Sequence, residues 1–315
     1  MRAIKSQIVM DNNYSSLANK TVGLVGLGLM GEPMARQFQA SGASLRIWNR
    51  NAKKSSALAN ELERVTACAV PRDVPNGADA TVLMLTDATA VEEVVFNSTN
   101  DDNPTALVAG LEADAILIDM GTTSVLKTRQ FSNRLTSVGA HWIDAPVSGG
   151  TTAAQTGSLT IMVGGSKPLF KKVLPWLKIL GERITHVGDL GAGQIAKSAN
   201  QMIVGLTIAA IAEAFTLARH NGVDPAKIRE ALMGGFAHSR ILELHGERMI
   251  TEDYAARAKC TIQRKDVAEA LELAKSVNLY LPSLSTNLTL WDYMVDNDMG
   301  TLDHSALLLA IDPKS

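Results

Sequence analysis

The sequence predicts an α/β fold, in which a doubly wound, mainly parallel sheet is followed by an all-α C-terminal domain. Two observations support this prediction. Seven short apolar runs alternate with helical patterns over residues 21–188, which is typical of parallel strands joined by crossover helices. After Gly193, helical patterns follow one another and no convincing strand remains. We therefore predict one domain over residues 21–190 and a second over residues 191–315.

The seven runs are short and apolar enough to form strands that are buried on both faces. They read TVGLVG (21–26), SLRIWN (44–49), ATVLML (80–85), AILIDM (115–120), AHWIDA (140–145), LTIMVGG (159–165) and ERITHVG (182–188). Helices are predicted between several of them, for example over residues 30–40 and 124–138. Residues 1–20 are mixed and polar, without the apolar core of a signal peptide, and are predicted to be a loose N-terminal extension.

The most apolar segment, residues 202–218, belongs to a long helical pattern that begins near Gly193. Glu213 interrupts it and Arg219 follows it, and it is slightly short for a membrane span. A helix that is apolar on nearly all sides must be surrounded by protein. We therefore predict a core helix that reaches a subunit interface, and a homodimer or homotetramer that is not bound to a membrane.

Composition excludes several classes of protein. The chain has 315 residues, of which 46% are hydrophobic and 20% charged, with a formal net charge of -2. This composition predicts a sizeable core and gives no overall field that would attract nucleic acid or an anionic membrane. The two cysteines, Cys68 and Cys260, lie far apart, which favours a reducing, cytoplasmic location. No cluster of His, Cys, Asp or Glu has the spacing of a metal site.

A glycine-rich turn follows the first predicted strand and opens a helix, at residues 26–31. The first glycine permits the tight turn, the second lets the backbone approach a pyrophosphate, and the third lets helix and strand pack closely. This context predicts a Rossmann dinucleotide site, although a merely structural turn is the alternative. The cofactor cleft is predicted to be lined by Gly26, Leu27, Gly28, Leu29, Met30, Gly31, Asn49, Arg50, Leu85 and Thr86.

The end of the second strand indicates which dinucleotide binds. About twenty residues past the glycines, an NAD enzyme usually carries an acidic residue that holds the ribose 2′-hydroxyl. This chain has Asn49 and Arg50 instead. Arg50 can pair with a 2′-phosphate, and no carboxylate is there to repel it. We expect NADPH to be preferred, with NAD as an alternative; Arg50 could also be only a solvated loop residue.

Four blocks of sequence resemble, in order, the signature blocks of the β-hydroxyacid dehydrogenase family. They are GLGLMGEPMA (26–35), DMGTT (119–123), DAPVSGG (144–150) and GAGQIAKSANQ (191–201). The family includes 3-hydroxyisobutyrate dehydrogenases, tartronate semialdehyde reductases and glyoxylate/succinic semialdehyde reductases, and the resemblance covers about residues 21–310. It implies an NAD(P)-dependent oxidoreductase that interconverts a small carboxylated aldehyde and its hydroxyacid.

The resemblance implies that Lys197 is the catalytic acid/base and that Asn200 orients it or the substrate hydroxyl. The residues themselves agree with these roles. Lys197, Asn200 and Gln201 share one face of a largely apolar helix. A buried lysine is costly unless it is paired or functional. For each of the two roles, a solvated position on the helix surface is the alternative.

Further positions are assigned to the substrate and to the nicotinamide side of the cofactor. Small residues at positions 148–150 follow a strand and offer N–H groups and a hydroxyl to a substrate carboxylate, unless they form only an ordinary turn. By resemblance, Thr122 contacts the nicotinamide side and Lys265 lies over the cofactor. Phe236 either shapes the substrate pocket or belongs to the core. The predicted substrate-binding residues are Thr122, Ser148, Gly149, Gly150, Gln201 and Phe236.

Two departures from the family pattern leave the substrate open. Gly121 stands where many members have serine, and Gln201 where many have a second asparagine. With GGFAHSR (234–240) and DHSAL (303–307), the chain looks most similar to the tartronate semialdehyde reductases, which convert 2-hydroxy-3-oxopropionate to glycerate. Glyoxylate, succinic semialdehyde and 3-hydroxyisobutyrate are alternative substrates. A non-catalytic NADP-binding scaffold is the alternative from a different class.

Overall fold

The computed structural model describes residues 17–97 and 104–312 of the chain, so residues 1–16 of the predicted N-terminal extension lie outside the described part. Among the described residues of the first half, nine strands form one sheet. They are β1 (Thr21–Val25), β2 (Ser44–Trp48), β3 (Val65–Ala67), β4 (Ala80–Leu83), β5 (Ile116–Asp119), β6 (His141–Asp144), β7 (Val147–Ser148), β8 (Leu159–Gly164) and β9 (Gly181–Gly188).

The sheet is mainly parallel, as predicted. The first six strands pair in parallel in the order β3-β2-β1-β4-β5-β6. Strand β8 runs antiparallel to both β6 and β7, and β9 pairs in parallel with β8. Strands β3 and β7 were not among the seven predicted runs, because they have only three and two residues and carry no apolar run.

Six helices connect the strands and cover the two faces of the sheet. They are α1 (Gly31–Ala40), α2 (Ala52–Glu61), α3 (Ala88–Phe96), α4 (Val125–Thr136), α5 (Gly150–Thr156) and α6 (Lys167–Leu180). Neighbouring strand residues face opposite layers: Leu24 packs in the cluster that contains Phe38, and Val25 in the cluster that contains Phe131 and Trp142. Burial on both faces explains why every residue of β4 and β5 is buried and most of them are apolar.

The second half of the described chain is helical. Its helices are α7 (Ala192–His220), α8 (Pro225–Leu232), α9 (Arg240–Ile250), α10 (Cys260–Ser276), α11 (Pro282–Asp296) and α12 (Leu308–Ile311). A separate core gathers around α7 and includes Ile208, Phe215, Trp291 and Leu307. Over residues 191–312, β pairing is confined to one isolated bridge between Lys259 and Asp303.

Helix α7 has one buried side and one exposed side. Among the described residues it is the one helix long and apolar enough, by length and composition, to cross a membrane, and 44% of its most apolar 18-residue window is buried in the protein. Ile208 and Ala212 are fully buried, whereas Ile203 and Leu217 are 64% and 67% exposed. The helix is therefore the core of the helical half, as predicted, but this single chain leaves one apolar side uncovered.

Candidate active site

The glycine-rich turn lies where β1 is flanked by β2 and β4, at the carboxyl ends of the strands. In open α/β sheets, ligands bind at such a point. Gly26 has a φ of 97°, and a Cβ at Gly31 would overlap the carbonyl oxygen of Gly26. These two glycines therefore allow the turn and the close approach of α1. At Gly28, by contrast, an added Cβ would meet no atom within 4 Å, so the backbone there is open to a ligand.

Side chains at the end of β2 connect this turn to the next one. The backbone N–H of Leu27 donates to Oδ1 of Asn49 (2.9 Å), and Nζ of Lys54 donates to the carbonyl oxygen of Leu27 (3.3 Å). Arg50 is exposed beside them. Lys54 was not predicted. It lies in the first turn of α2, and its bond to the Leu27 carbonyl oxygen brings a cation to the glycine turn.

The turn has room and donors for a dinucleotide. Helix α1 has no side-chain cap at its N-terminus. The N–H groups of Glu32 and Met34 donate to carbonyl oxygens of the turn (3.2 and 3.3 Å), and Pro33 has no N–H, so a phosphate would meet the N–H groups of residues 28–31 at the start of the helix. A cavity of about 400 Å³ lies beside the turn, lined by Gly28, Leu29, Glu32, Pro33, Arg36, Lys54, Thr151 and Gln155. A larger cavity of about 580 Å³ lies at the amino ends of β1 to β3 and contains none of the predicted site residues. The residues at the glycine turn therefore fit a dinucleotide.

The turn after β4 borders the same crevice. Leu85 is half-buried and Thr86 is exposed. The Thr86 hydroxyl donates to the carboxylate of Asp87 (3.0 Å), which also caps α3 by accepting from the N–H of Ala90 (2.8 Å). Thr86 is thus held at the mouth of the crevice, where it was predicted to line the cofactor cleft.

Lys197 lies on the inner side of α7, one turn after Gln194 and one turn before Gln201. It is only 9% exposed. Both glutamines are fixed by hydrogen bonds, but the Lys197 ammonium makes no hydrogen bond and no ion pair with any residue in the ranges 17–97 and 104–312. Burial is the main reason that the pKa of Lys197 lies below its ordinary value; Asp266 opposes this shift and Lys265 adds to it. A buried amine without a partner can exchange a proton with a ligand.

Asn200 and Gln201 join α7 to α10. Nδ2 of Asn200 donates to Oε1 of Gln201 (2.8 Å). Nε2 of Gln201 donates to Oδ2 of Asp266 (2.6 Å) and to Oε1 of Gln263 (3.1 Å). Both polar atoms of the Gln201 amide are thus engaged within the protein. Its predicted contact with substrate stays a prediction, and any such contact would have to share these atoms.

Lys265 joins α10 to the loop after β5. Its Nζ donates to the carbonyl oxygen of Thr122 (3.1 Å) and forms ion pairs with Asp266 (2.9 Å) and Glu269 (3.3 Å). Burial acts to lower the pKa of Lys265, but the two carboxylates outweigh it and raise that pKa. Burial likewise raises the pKa of Glu269, to about 7. Lys265 thus contacts the Thr122 loop and lies near enough to Lys197 to lower the pKa of that lysine. The roles that the resemblance implies for these three residues stay predictions.

Two buried carboxyl groups at the ends of β5 and β6 were not predicted. Asp119 and Asp144 lie at neighbouring positions in the register of the parallel strands β5 and β6. Burial raises the pKa of Asp119 to about 7 and that of Asp144 to about 6. Both open the sequence blocks that carry the family resemblance, and that position is the signal that could have identified them. Gln194, which contacts the loop after Asp119, was missed as well.

The turn predicted to hold a substrate carboxylate follows β7. Ser148 is half-buried, and Gly149 and Gly150 are exposed. Gly149 has a φ of 131° and Gly150 a φ of 68°, which are backbone conformations that favour glycine. The next residue, Thr151, lines the cavity beside Gly28. The turn is therefore a neighbour of the cofactor crevice, and its contact with substrate stays a prediction.

Phe236 lies in the loop between α8 and α9, and its ring is fully exposed in this chain. The alternative that it belongs to the core is therefore wrong for the single chain. The cause is local: the helical pattern stops at the two glycines before it, so the ring is presented on a loop instead of on a buried helix face. Its role in a substrate pocket stays a prediction.

Comparisons with known proteins identify both halves of the chain. Residues 21–188 match the family model of the NAD binding domain of 6-phosphogluconate dehydrogenase. Residues 191–311 match the model described as NAD-binding of NADP-dependent 3-hydroxyisobutyrate dehydrogenase. Together the two matches span the sheet and the helices described above.

Individual relatives agree over nearly their whole length. The chain is 40% identical to the 2-hydroxy-3-oxopropionate reductase of Escherichia coli, over 92% of this chain and 97% of that protein. It is 31% identical to the 2-(hydroxymethyl)glutarate dehydrogenase of Eubacterium barkeri, over 91% and 93%. The crystal structure of a 3-hydroxyisobutyrate dehydrogenase from Salmonella typhimurium superposes with a TM-score of 0.81, at 28% identity over 92% and 99% of the two chains. The chain therefore belongs to the 3-hydroxyisobutyrate dehydrogenase-like β-hydroxyacid dehydrogenases, which are NAD(P)-dependent oxidoreductases that act on CH–OH groups.

Proposed function

We propose that this enzyme reduces 2-hydroxy-3-oxopropionate to glycerate, with NADPH as the preferred reductant. The observation that carries the catalytic assignment is the burial of Lys197, which has no hydrogen bond or ion pair among the described residues and lies near enough to Asp266 and Lys265 for both to shift its pKa. The substrate assignment is supported by the name of the Escherichia coli relative at 40% identity. It is also supported by the small, polar turn at residues 148–150, which suits a short carboxylate.

The reaction needs a proton donor at the carbonyl oxygen. When bound, reduced nicotinamide supplies the hydride that the aldehyde carbon accepts. As the carbonyl oxygen gains negative charge, the Lys197 ammonium donates a proton to it. An aldehyde, a hydride and a proton thus give an alcohol. In the reverse direction the neutral amine accepts the proton. Because burial lowers the pKa of Lys197, both forms are accessible nearer to neutral pH than for a free lysine.

The other predicted residues hold the reactants around this amine. The exposed N–H groups of Gly149 and Gly150 and the Ser148 hydroxyl bind the substrate carboxylate. Asn200, fixed by its hydrogen bond to Gln201, orients the substrate hydroxyl. Thr122, whose carbonyl oxygen Lys265 holds, faces the nicotinamide side.

The preference for NADPH rests on two cations beside the glycine turn. Arg50 is exposed at the end of β2, and the Lys54 ammonium reaches back to the Leu27 carbonyl. Together they place positive charge where a 2′-phosphate would lie, and the pattern contains no carboxylate at position 49 or 50 to repel it.

We propose a homodimer in which the exposed side of α7 forms part of the interface. Ile195, Ile203 and Leu217 lie along one side of this helix and are exposed in the single chain. An apolar side of this length would be costly to leave in water. Light scattering coupled to size-exclusion chromatography tests the proposal: the wild type should elute as a dimer or larger, and Ile203→Asp with Leu217→Asp should shift it toward the monomer. A wild type that is monomeric at micromolar concentration would refute it.

The enzymatic proposal is tested by the rate of NADPH oxidation with four aldehydes: 2-hydroxy-3-oxopropionate, glyoxylate, succinic semialdehyde and methylmalonate semialdehyde. The wild type is compared with Lys197→Met and with Lys275→Ala, which removes an exposed lysine at the end of α10. We expect 2-hydroxy-3-oxopropionate to give the highest kcat/KM. Lys197→Met should lose about 100- to 10,000-fold in kcat and still bind NADPH, while Lys275→Ala should match the wild type.

Other outcomes would change the assignment. A higher kcat/KM with another aldehyde would replace the substrate and keep the catalytic role of Lys197. Equal activity of Lys197→Met and wild type would refute that role. Absence of turnover with all four aldehydes, and with 3-hydroxyisobutyrate in the oxidative direction, would favour a non-catalytic NADP-binding scaffold.

A further inference from the structure

Gln194 bridges the helix of Lys197 and the loop of Thr122. It lies in the first turn of α7 and is 1% exposed. Its Nε2 donates to the carbonyl oxygen of Gly121 (2.9 Å), and its Oε1 accepts from the N–H of Thr123 (3.2 Å). The two ends of one amide thus bond to the peptide groups on either side of Thr122.

The first turn of α7 is itself fixed to the sheet. The carboxylate of Asp144 accepts from the N–H of Gly191 (2.8 Å) and from the N–H of Gln194 (2.9 Å). Gly193 permits this approach, because a Cβ there would lie 2.8 Å from Oδ2 of Asp144. The carboxylate also meets the positive end of the helix dipole. Asp144 therefore fixes the position of the first turn of α7 relative to the ends of β6 and β8.

The loop is held from its other side by α10. Nζ of Lys265 donates to the carbonyl oxygen of Thr122 (3.1 Å). Three consecutive residues, 121 to 123, thus each have a backbone group bonded to a side chain from the helical half. Lys197 follows Gln194 by three residues and shares its face of α7, so a shift of the loop relative to Gln194 is also a shift relative to Lys197.

We infer that Gln194 is a positioning residue for the reaction, which keeps the Thr122 loop aligned with the Lys197 amine. It touches neither the substrate nor the proton in transfer; it acts through the two groups that it connects. The inference rests on the proposed catalytic role of Lys197. A misplacement of about 1 Å can cost about 100-fold in rate. The loss of these two hydrogen bonds should therefore reduce kcat much more than the loss of two equivalent hydrogen bonds elsewhere in the protein.

The test uses Gln194→Met, which keeps the length of the side chain and removes both hydrogen bonds. Asn287→Met is the matched control. Asn287 is also a buried amide with two hydrogen bonds, from its Nδ2 to the carbonyl oxygen of Gly205 (3.2 Å) and to its Oδ1 from Nε1 of Trp291 (2.8 Å). It packs against α7 two turns beyond Lys197, so it reports the cost of losing such an amide away from the site.

Three quantities are measured for each protein: Tm, hydrogen exchange of the peptide covering residues 119–124 without cofactor, and kcat and KM for the aldehyde. For Gln194→Met we expect faster exchange of that peptide, about a 100-fold loss of kcat and little change in KM. For Asn287→Met we expect a similar loss of Tm, unchanged exchange at 119–124 and a kcat within about twofold of wild type.

Two results would overturn the inference. One is unchanged exchange at residues 119–124 in Gln194→Met, which would show that the amide does not hold the loop. The other is a kcat of Gln194→Met that equals the kcat of Asn287→Met. The exchange measurement needs no substrate, so it separates failure of this inference from failure of the proposed function, which would appear as an inactive wild type.

Discussion

Replacing Gly28 with alanine adds one methyl group to the backbone of the glycine turn at a point where no protein atom lies within 4 Å. The fold should accept this group without rearrangement. The space it fills is the space through which the backbone approaches the pyrophosphate of a bound dinucleotide. At Gly31 the same change drives a Cβ into the carbonyl oxygen of Gly26, so the two variants separate the binding role of the turn from its folding role.

The magnitudes follow from these two environments. Overpacking usually costs about 1–3 kcal/mol. In Gly28→Ala this cost falls on the complex and weakens NADPH binding roughly 5- to 150-fold, since about 1.4 kcal/mol corresponds to tenfold in Kd. In Gly31→Ala it falls on the folded protein. There about 2–3 kcal/mol of overlap with backbone should lower the Tm by about 4–12 °C.

NADPH fluorescence titration and thermal unfolding of the protein without cofactor measure the two effects. Gly28→Ala should keep the wild-type Tm within about 2 °C while its Kd for NADPH rises. Gly31→Ala should lose Tm in the absence of any cofactor. If Gly28→Ala bound NADPH with the wild-type Kd, the dinucleotide would not approach this turn, and the assignment of the crevice would be wrong.

Three further predictions concern charge. Arg50→Ala should raise the KM for NADPH by about tenfold, because it removes about 1.4 kcal/mol of pairing with the 2′-phosphate. The KM for NADH should stay unchanged. An equal change for both cofactors in steady-state assays would contradict the prediction. Lys197→Met should raise the urea midpoint of unfolding at pH 7, because the lowered pKa of Lys197 means that its charged form destabilises the fold. This gain in stability should shrink as the pH rises toward about 10.4, where the lysine is neutral in both states. A lower midpoint than that of the wild type at pH 7 would contradict the prediction. Burial lowers the pKa of His245 to about 4. The free energy of unfolding of the wild type should therefore fall by up to about 3 kcal/mol as the pH falls from about 6.5 to 4, and that of His245→Gln should fall less. Equal losses of the two proteins in urea titrations would exclude this cause.

Local patterns predicted most of the fold. The glycine turn, the apolar strands and the long helix α7 each have a signal within a few neighbouring residues. Strands β3 and β7 were missed because two or three residues carry no period. Which side of α7 is exposed was not predicted, because the sequence shows how apolar a helix is, but does not show which of its sides a single chain covers.

The site was predicted only in part, for a different physical reason. Lys197, Thr122 and Lys265 were assigned because each matches a position of the family that the chain resembles. Asp144 and Gln194 act through hydrogen bonds to residues 47 to 73 positions away along the chain, and no local pattern reports such pairs. Phe236 shows the converse: an apolar residue between helical patterns suggested a pocket or the core, but the loop presents its ring to the surface.

The attachment of α7 to the ends of the strands has a consequence for how the chain melts. Because Asp144 and Gln194 connect the sheet to the helical half in the interior, neither half can unfold without exposing polar groups of the other. A dinucleotide bound at the glycine turn therefore also stabilises, against unfolding, helices that it does not touch. At a cofactor concentration of 100 times Kd this stabilisation amounts to about 2.7 kcal/mol, and it protects the sheet and the helical half together against heat and proteolysis.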